Sequence, residues 1–560
     1  MVERRKLAER LGNGIDSLVG IFSPGRQNRR IGARRRREVA EAYHLRRMRQ
    51  LSDGGFESAR NTRDAHSWLT KRLSPDSALE EAREEMLERA DSVYKNYTFG
   101  RGYVESRVGM IAGCGTKIKP RIMPRDGVIT EDQATAWNQI LEEAYDQWKL
   151  RAGFKLQPLY MLERLAMRCW DRFGDVFVMF GDVFDPRAPV TLKVQVVHPN
   201  RVQTPPGESG NRRIRMGVET DENDLPIAYW VRRTHEFDTL DVSQEFDRID
   251  ARFANGMPRM LHIYEETEPG QTRGYPDLQI AYDRLKNTQE YEEAELERNN
   301  VGACYAAFVH TELPAEDAAE GQATGGTGPR GQRQEDIAPG KITYLGLADK
   351  VTVGQPSGPQ AAYKPYMEDQ RRSAASGVNY PYEMITGDWG SANYSRSKVI
   401  WTIGGIPISC RQFDLRTLFL MPTWSHFVNR MVIGSGPLEI PLLDVDQSLY
   451  RAMPWVFEEA IYIPPARPRL DPAREQRADM ADVAAGFTSP QRIIPGLTGE
   501  DNETIYDELA ADRVLREARG ISTQMPMMGL TESDADDDDD DDRESTEIGD
   551  TQPESEEVTA

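Results

Sequence analysis

SGVNYPYEMITGDWGSANYSRSKVIWTIGGIPISCRQ, residues 376–412, is the stretch that orders this chain. Gly377, Pro381, Gly387 and Gly390 interrupt any helix before Asn393. The loop Thr386-Gly-Asp-Trp-Gly-Ser-Ala-Asn393 carries one large aromatic, Trp389, among small polar residues. From Tyr394 to Arg430 the spacing is mostly helical. Gly404, Gly405 and Pro407 are the weak point, where a kink or break is expected.

Just upstream, residues 277–307 read as one helix of about 45 Å, long for a globular protein. Packing against copies of itself would supply the support that such a helix needs. Residues 311–340 are loop, rich in Gly, Pro, Ala, Thr and Gln. Residues 359–376 form a second helix. The middle of the chain is therefore long helix, irregular insert, helix, loop, helix.

Further upstream, residues 77–113 predict two helices, with Glu80, Glu81, Glu84 and Glu85 early in the first, where the helix dipole favours acids. Residues 130–174 are helical. Trp137, Leu141, Tyr145 and Trp148 make an apolar stripe there that reads as core. Strands are expected at 175–180 and 190–197, the second alternating cleanly, and a hairpin turn at Asp221-Glu-Asn-Asp224. Beyond Arg430, strands are expected at 436–443 and 459–463, and a helix from about 500 to 519.

Charge is distributed unevenly over the 560 residues, whose net is −21. Residues 1–50 hold fourteen Lys/Arg against five Asp/Glu, including the run Arg34 to Arg37. Residues 531–560 hold one Arg against fifteen acids, with Asp at every position from 536 to 542. That segment repels itself and lacks apolar residues, so disorder is expected. A protein that grips nucleic acid over its whole surface would be basic throughout, and this one is not. The four cysteines, Cys114, Cys169, Cys304 and Cys410, lie far apart without metal-ligand spacing and read as reduced thiols. No apolar run reaches transmembrane length, and no signal peptide is read. Gly113-Cys-Gly-Thr-Lys117 looks superficially like a phosphate loop but lacks its spacing, and the common hydrolase signatures are absent. A metal-dependent DNA-processing enzyme would have to use scattered acids such as Asp388 and Asp414. No cofactor is implied.

Several blocks, in order, resemble the lambda-type phage portal family. They are Tyr382-Glu-Met-Ile385-Thr-Gly-Asp388 with Asn393-Tyr-Ser395-Arg396-Ser397-Lys398; Gly174-Asp-Val-Phe177; Gly217-Val-Glu-Thr-Asp221 with Pro226-Ile-Ala-Tyr229; Leu261-His-Ile-Tyr264 with Pro269-Gly-Gln-Thr-Arg273-Gly-Tyr-Pro276; Pro339-Gly-Lys-Ile-Thr-Tyr-Leu345; and Asp471-Pro-Ala-Arg-Glu475. Arg396 stands where the family has a second Ser, Lys398 where it has Arg, and Glu268 where the Pro-Gly-Gln block opens with Arg. The resemblance spans roughly residues 56–520.

The resemblance implies an α+β, multi-domain portal fold assembled as a ring, usually of twelve copies. Its parts would be a basic arm (1–55), an α/β wing (56–276), a first stem helix (277–307), a clip (308–358), a second stem helix (359–378), a tunnel loop and tunnel helix (379–430), return strands of the wing (431–469), a helical crown (470–525) and an acidic tail (526–560). It implies a virion protein at the unique capsid vertex, through which double-stranded DNA is packaged and later ejected. Its partners would be the terminase large subunit, the major capsid and scaffold proteins and a head-tail adaptor, with no membrane and no catalysis of its own. The alternative to a channel is a scaffold or decoration protein. Candidate channel residues are Trp389, Asn393, Arg396 and Lys398. Arg396 and Lys398 diverge by roughly 200° on a helix, so at most one faces a duplex. The expected roles are Lys398 toward phosphate and Arg396 toward a neighbouring subunit's acid.

Overall fold

Two antiparallel sheets face each other across a small core. The computed structural model describes residues 73–235, 245–303, 307–311, 349–353, 363–390, 394–434, 442–466, 469 and 471–520. The basic arm, the acidic tail, most of the 308–358 insert and Asn393 lie outside the described residues. The 436–443 strand lies largely outside them too, and Leu442 and Leu443, which are described, are not in a strand. The described residues from Pro75 on form one compact unit.

The strands are β1 (Lys117–Pro120), β2 (Asp175–Asp182), β3 (Leu192–Val197), β4 (Ile214–Arg215), β5 (Val218–Thr220), β6 (Pro226–Arg232), β7 (Phe246–Asp250), β8 (Met260–Tyr264), β9 (Ala307–Thr311), β10 (Asp349–Val353) and β11 (Ala460–Ile463). One sheet has the order β3-β2-β8 and the other β4-β5-β6-β7. Strand periodicity explains why β2 is buried on both sides. Val176, Val178 and Phe180 point into the main core, while Phe177 joins Val197, Val218, Tyr229 and Met260 in a second, smaller one. The hairpin between β5 and β6 turns at the expected residues. Asp221 accepts from the backbone of Asn223 and Leu225, and Asp224 takes a positive φ of 61°.

Helices cover the main-core side. Pro75–Asn96 and Thr98–Ile111 are the two expected near the start, and the expected 130–174 helix is two, Glu131–Lys149 and Leu159–Phe173. Thr130 and Gln133 close a capping box on the first of that pair. Its aromatic stripe is core, as its spacing suggests. Tyr145 packs on Trp424 and Phe427, and Trp148 on Phe427, with ring centroids 5.2–5.3 Å apart.

Two expectations about helices are corrected. The first concerns 277–307. Asp277–Ala281 is a 3-10 turn, the α-helix runs only Tyr282–Ala303, and Ala307–Thr311 is β9, paired with β10. This helix is about 33 Å long, and it finds support within its own chain. Its partner is the Tyr363–Gly377 helix: Tyr291 packs on Tyr363 and Tyr366, Arg284 donates to Gln370 at 3.1 Å, and Arg371 pairs with Glu292.

The second concerns 404–407. The helix Tyr394–Leu415 runs through Gly404, Gly405 and Pro407 unbroken. Gly404 is there for proximity: a β-carbon on it would lie 2.8 Å from both Met384 Sδ and Pro381 Cγ. The irregularity comes later, as a π turn over Arg416–Leu420 that leads into Met421–Ile433 with Pro422 in its first turn. Proline has no N–H to give the preceding turn, and one extra residue absorbs the loss.

At the C-terminal end, Pro472–Ala484, Pro490–Thr498 and Asn502–Ala518 are helical. β11 pairs with β1, a strand that periodicity did not single out. Lys119 ties β1 to the last helix through Asp501 and Glu503, both at 2.9 Å.

Candidate functional site

The 376–412 stretch folds into a joint. Tyr382–Thr386 is a short helix that Pro381 enters and Gly387 ends with a φ of 70°, a left-handed cap that glycine adopts without strain. Thr386 Oγ1 donates to the Tyr382 carbonyl at 3.0 Å and accepts from the Asp388 N–H at 3.3 Å. Asp388 in turn accepts from the Gly390 N–H at 3.2 Å. Thr-Gly-Asp is thus a self-bonded turn, and Asp388 is spent in it.

Glu383 is the centre of the joint. It is buried, and its Oε1 accepts from Arg372 at 3.1 Å and Arg396 at 3.2 Å. One carboxylate therefore fastens the helix before the loop to the helix after it. Arg372 also lies over the Tyr382 ring, 4.7 Å from its centroid. Gly102, on the Thr98–Ile111 helix, comes so close to the Ile385 carbonyl that a β-carbon would sit 2.9 Å from it.

Of the four candidate residues, Asn393 is outside the described residues. Trp389 is half-buried and stacks on Trp401, centroids 6.3 Å apart and planes 7° apart. Arg396 finds its carboxylate in its own chain, where a neighbouring subunit's acid was expected. Lys398 is exposed, and among the described residues its ammonium meets no carboxylate. The structure brings Arg396 to Glu383 and leaves Lys398 apart from them. Sequence reading missed Glu383, Arg372 and Trp401, whose meeting depends on three helices converging. The one available signal was an acid inside a quoted motif.

A second motif closes in the same way. Asp175, fully buried at the start of β2, accepts from Arg273 Nε at 2.5 Å and Arg83 Nη2 at 3.1 Å, with His262 Nε2 3.3 Å away. Burial alone would raise its carboxyl, but Arg273, Arg83 and His262 hold it well below the usual carboxylate range. Arg273 also donates to the carbonyls of Pro199, Val202 and Met216. Gly174 and Gly274 let two backbones cross where a β-carbon on either would lie 2.0 Å from the other strand's backbone.

The Gly113–Lys117 loop is no phosphate cradle. The Thr116 N–H is donated to the buried carboxyl group of Glu163 at 3.0 Å. Asp414 is half-buried, and burial raises its carboxyl. Among the described residues, no three His, Cys, Asp or Glu are grouped to hold a metal ion, and no helix is long and apolar enough to cross a membrane.

Residues 61–401, a span that includes both motif clusters and the joint, match the profile of the family described as phage portal protein, lambda family. The chain belongs to the lambda family of phage portal proteins. Its relatives are distant. The probable portal protein of Halomonas phage phiHAP-1 is 24% identical over 61% of this chain and 65% of that protein. The portal protein of Escherichia phage N15 is 20% identical over 78% of this chain and 84% of its own. Portal protein B of Escherichia phage lambda is 21% identical over 59% and 66%. The chain thus spans about two thirds of two of these relatives. Among solved structures, the neck of a native gene transfer agent particle is 14% identical over 73% of this chain and 93% of that one, with a TM-score of 0.37. Likeness at that level carries no argument about fold or assembly. Within the family segment, the quoted residues found in the structure act on the chain's own architecture. Arg273, Gly174 and Gly274 lock a crossing, and Glu383, Thr386 and Asp388 build the joint.

Proposed function

We propose that this chain is a head-tail connector. Copies of it form a closed ring at one capsid vertex, usually of twelve in this family, and double-stranded DNA is packaged and later ejected along the ring's axis. Membership of the portal family, matched through the Tyr363–Gly377 helix, the Glu383 joint and the first turns of the helix after it, is the observation that carries this reading. In it, Tyr282–Ala303 and Tyr363–Gly377 are the two stem helices, and the 308–358 insert is the clip that meets the terminase and later an adaptor. Tyr394–Leu415 is the tunnel helix, and the three C-terminal helices are the crown. The capsid and scaffold proteins are partners during head assembly in the host cytoplasm, and the finished ring resides in the virion. The ring itself performs no catalysis.

The physics supports a channel that does not hold its cargo. The chain is acidic overall, so a duplex is repelled along most of the bore. A few basic side chains, repeated around a ring, are enough to set its position. Lys398, exposed and with no acid beside it among the described residues, is the described candidate. The turn at Gly387 and Gly390 would carry Trp389 and Asn393 toward the axis.

The test is the purified full-length chain in native salt, by sedimentation and negative-stain electron microscopy. Closed rings with an axial hole are expected. Monomers at every concentration would overturn the reading.

A further inference from the structure

The helix Tyr394–Leu415 is apolar on two opposite faces, and among the described residues its own chain covers only one. Gly404, Gly405, Ile408, Arg411 and Leu415 are buried against the body. On the far side Val399, Ile403, Ile406 and Phe413 are each 56–63% exposed. Cys410, also exposed, lies between the last two. The spacing 399, 403, 406, 410, 413 alternates four and three, the period of a seam between packed helices. At 100° per residue these five positions fall within an arc of about 80°, opposite the buried set. Residues 399–410 contain no charged side chain.

The π turn prolongs the line. A regular helix would place Thr417 next and then residue 420. The turn over Arg416–Leu420 adds one residue, so Leu418 and Met421 take those places instead, and both are exposed. The strip therefore runs from Val399 to Met421 across a change of helix type.

We infer that this strip is a seam against a neighbouring copy of the same chain, an inference that rests on the ring reading above. A helix apolar on two opposite faces is fully supported only when both are packed. At these exposures each large side chain leaves on the order of 100 Å² open, so the six together offer about 500–600 Å². A stable interface takes about 800 Å² from each partner. The strip is thus most of one side of an interface, and too long to be left in water. Its occupant must be present, in equal number, wherever the chain is folded, and a second copy meets that condition. Lys398 lies on neither the seam nor the buried face, so closing the seam leaves it free.

The experiment uses the full-length chain with Ile403→Asp and Ile406→Asp together. Both positions are exposed in the single chain, so far-UV circular dichroism of the variant should match that of the parent. By mass photometry, half-assembly of the variant should need about tenfold more protein or more, since each buried charge costs over 1.4 kcal/mol. A variant assembling at the parent's concentration would overturn the seam and leave the ring reading intact. A parent that never assembles would overturn both. Should the variant not fold, a photo-cross-linking residue at Ile406 in the otherwise unchanged chain decides. A covalent dimer of this chain is expected. Cross-links only within the chain, or only to a foreign protein, would overturn the seam.

Discussion

Arg396 Nη2 donates to Glu383 Oε1 at 3.2 Å, within one chain and across the turn that joins two helices. Arg372 reaches the same oxygen, so removing either arginine leaves Glu383 one partner, whereas removing Glu383 unties both helices. Glu383→Ala is expected to cost about 1.5–3 kcal/mol, the range for hydrogen bonds to charged groups. Arg396→Ala should cost about half of that. Urea unfolding of the three variants, including Arg372→Ala, measures it. Equal costs for Arg396→Ala and Glu383→Ala would show that the fork is not shared.

Arg273 is the second point of leverage. Arg273→Ala strips three backbone carbonyls and the buried Asp175 of a partner at once. Breaking a buried pair from one side costs about 3–5 kcal/mol. Arg273→Lys should recover only part, because a single ammonium cannot reach Asp175 and all three carbonyls at once. Thermal melting of both variants checks this, and a lysine variant as stable as the parent would contradict it.

Glu163 gives the chain an unusual pH dependence. Burial pushes its carboxyl up to about 8, despite the N–H bond from Thr116. Between its unfolded value and about 8 the folded chain binds the extra proton, so stability falls as pH rises through that window. His198, His262 and His426 work the other way. Burial lowers each to about 4, so their contribution rises with pH up to about 6.5 and is then complete. Between pH 6.5 and 8 the slope should therefore be negative and should vanish in Glu163→Gln. Chemical unfolding at four pH values reads it, and an unchanged slope in the variant would reject this account.

Lys398→Glu tests the proposed bore. Lys398 meets no carboxylate among the described residues, so reversing its charge should leave folding and ring formation unaltered. Packaged DNA should be retained poorly, and more so at low salt, where repulsion of phosphate is less screened. Full retention, or rings that fail to form, would remove Lys398 from that role.

Periodicity carried much of the fold. The Trp137 to Trp148 stripe and the Asp221–Asp224 turn each follow from neighbours a few residues apart, and each is found where its spacing put it. The strand expected at 190–197 is Leu192–Val197, and its burial does not alternate, because Lys193 is buried between Leu192 and Val194 on a carboxylate, Asp185. The family, too, was legible, because its motifs are contiguous. The tertiary structure decided what those motifs do. It gave Arg396 a carboxylate thirteen residues back in its own chain, gave Arg273 three carbonyls from two separate segments, and made Gly404 a point of contact where a break was expected. It also ended the long helix at Ala303 and showed which face of Tyr394–Leu415 is covered. A helix's period is written in side chains three and four apart, but the partner of a charge, the neighbour of a glycine and which of a helix's two apolar faces stays open depend on segments brought together only by folding.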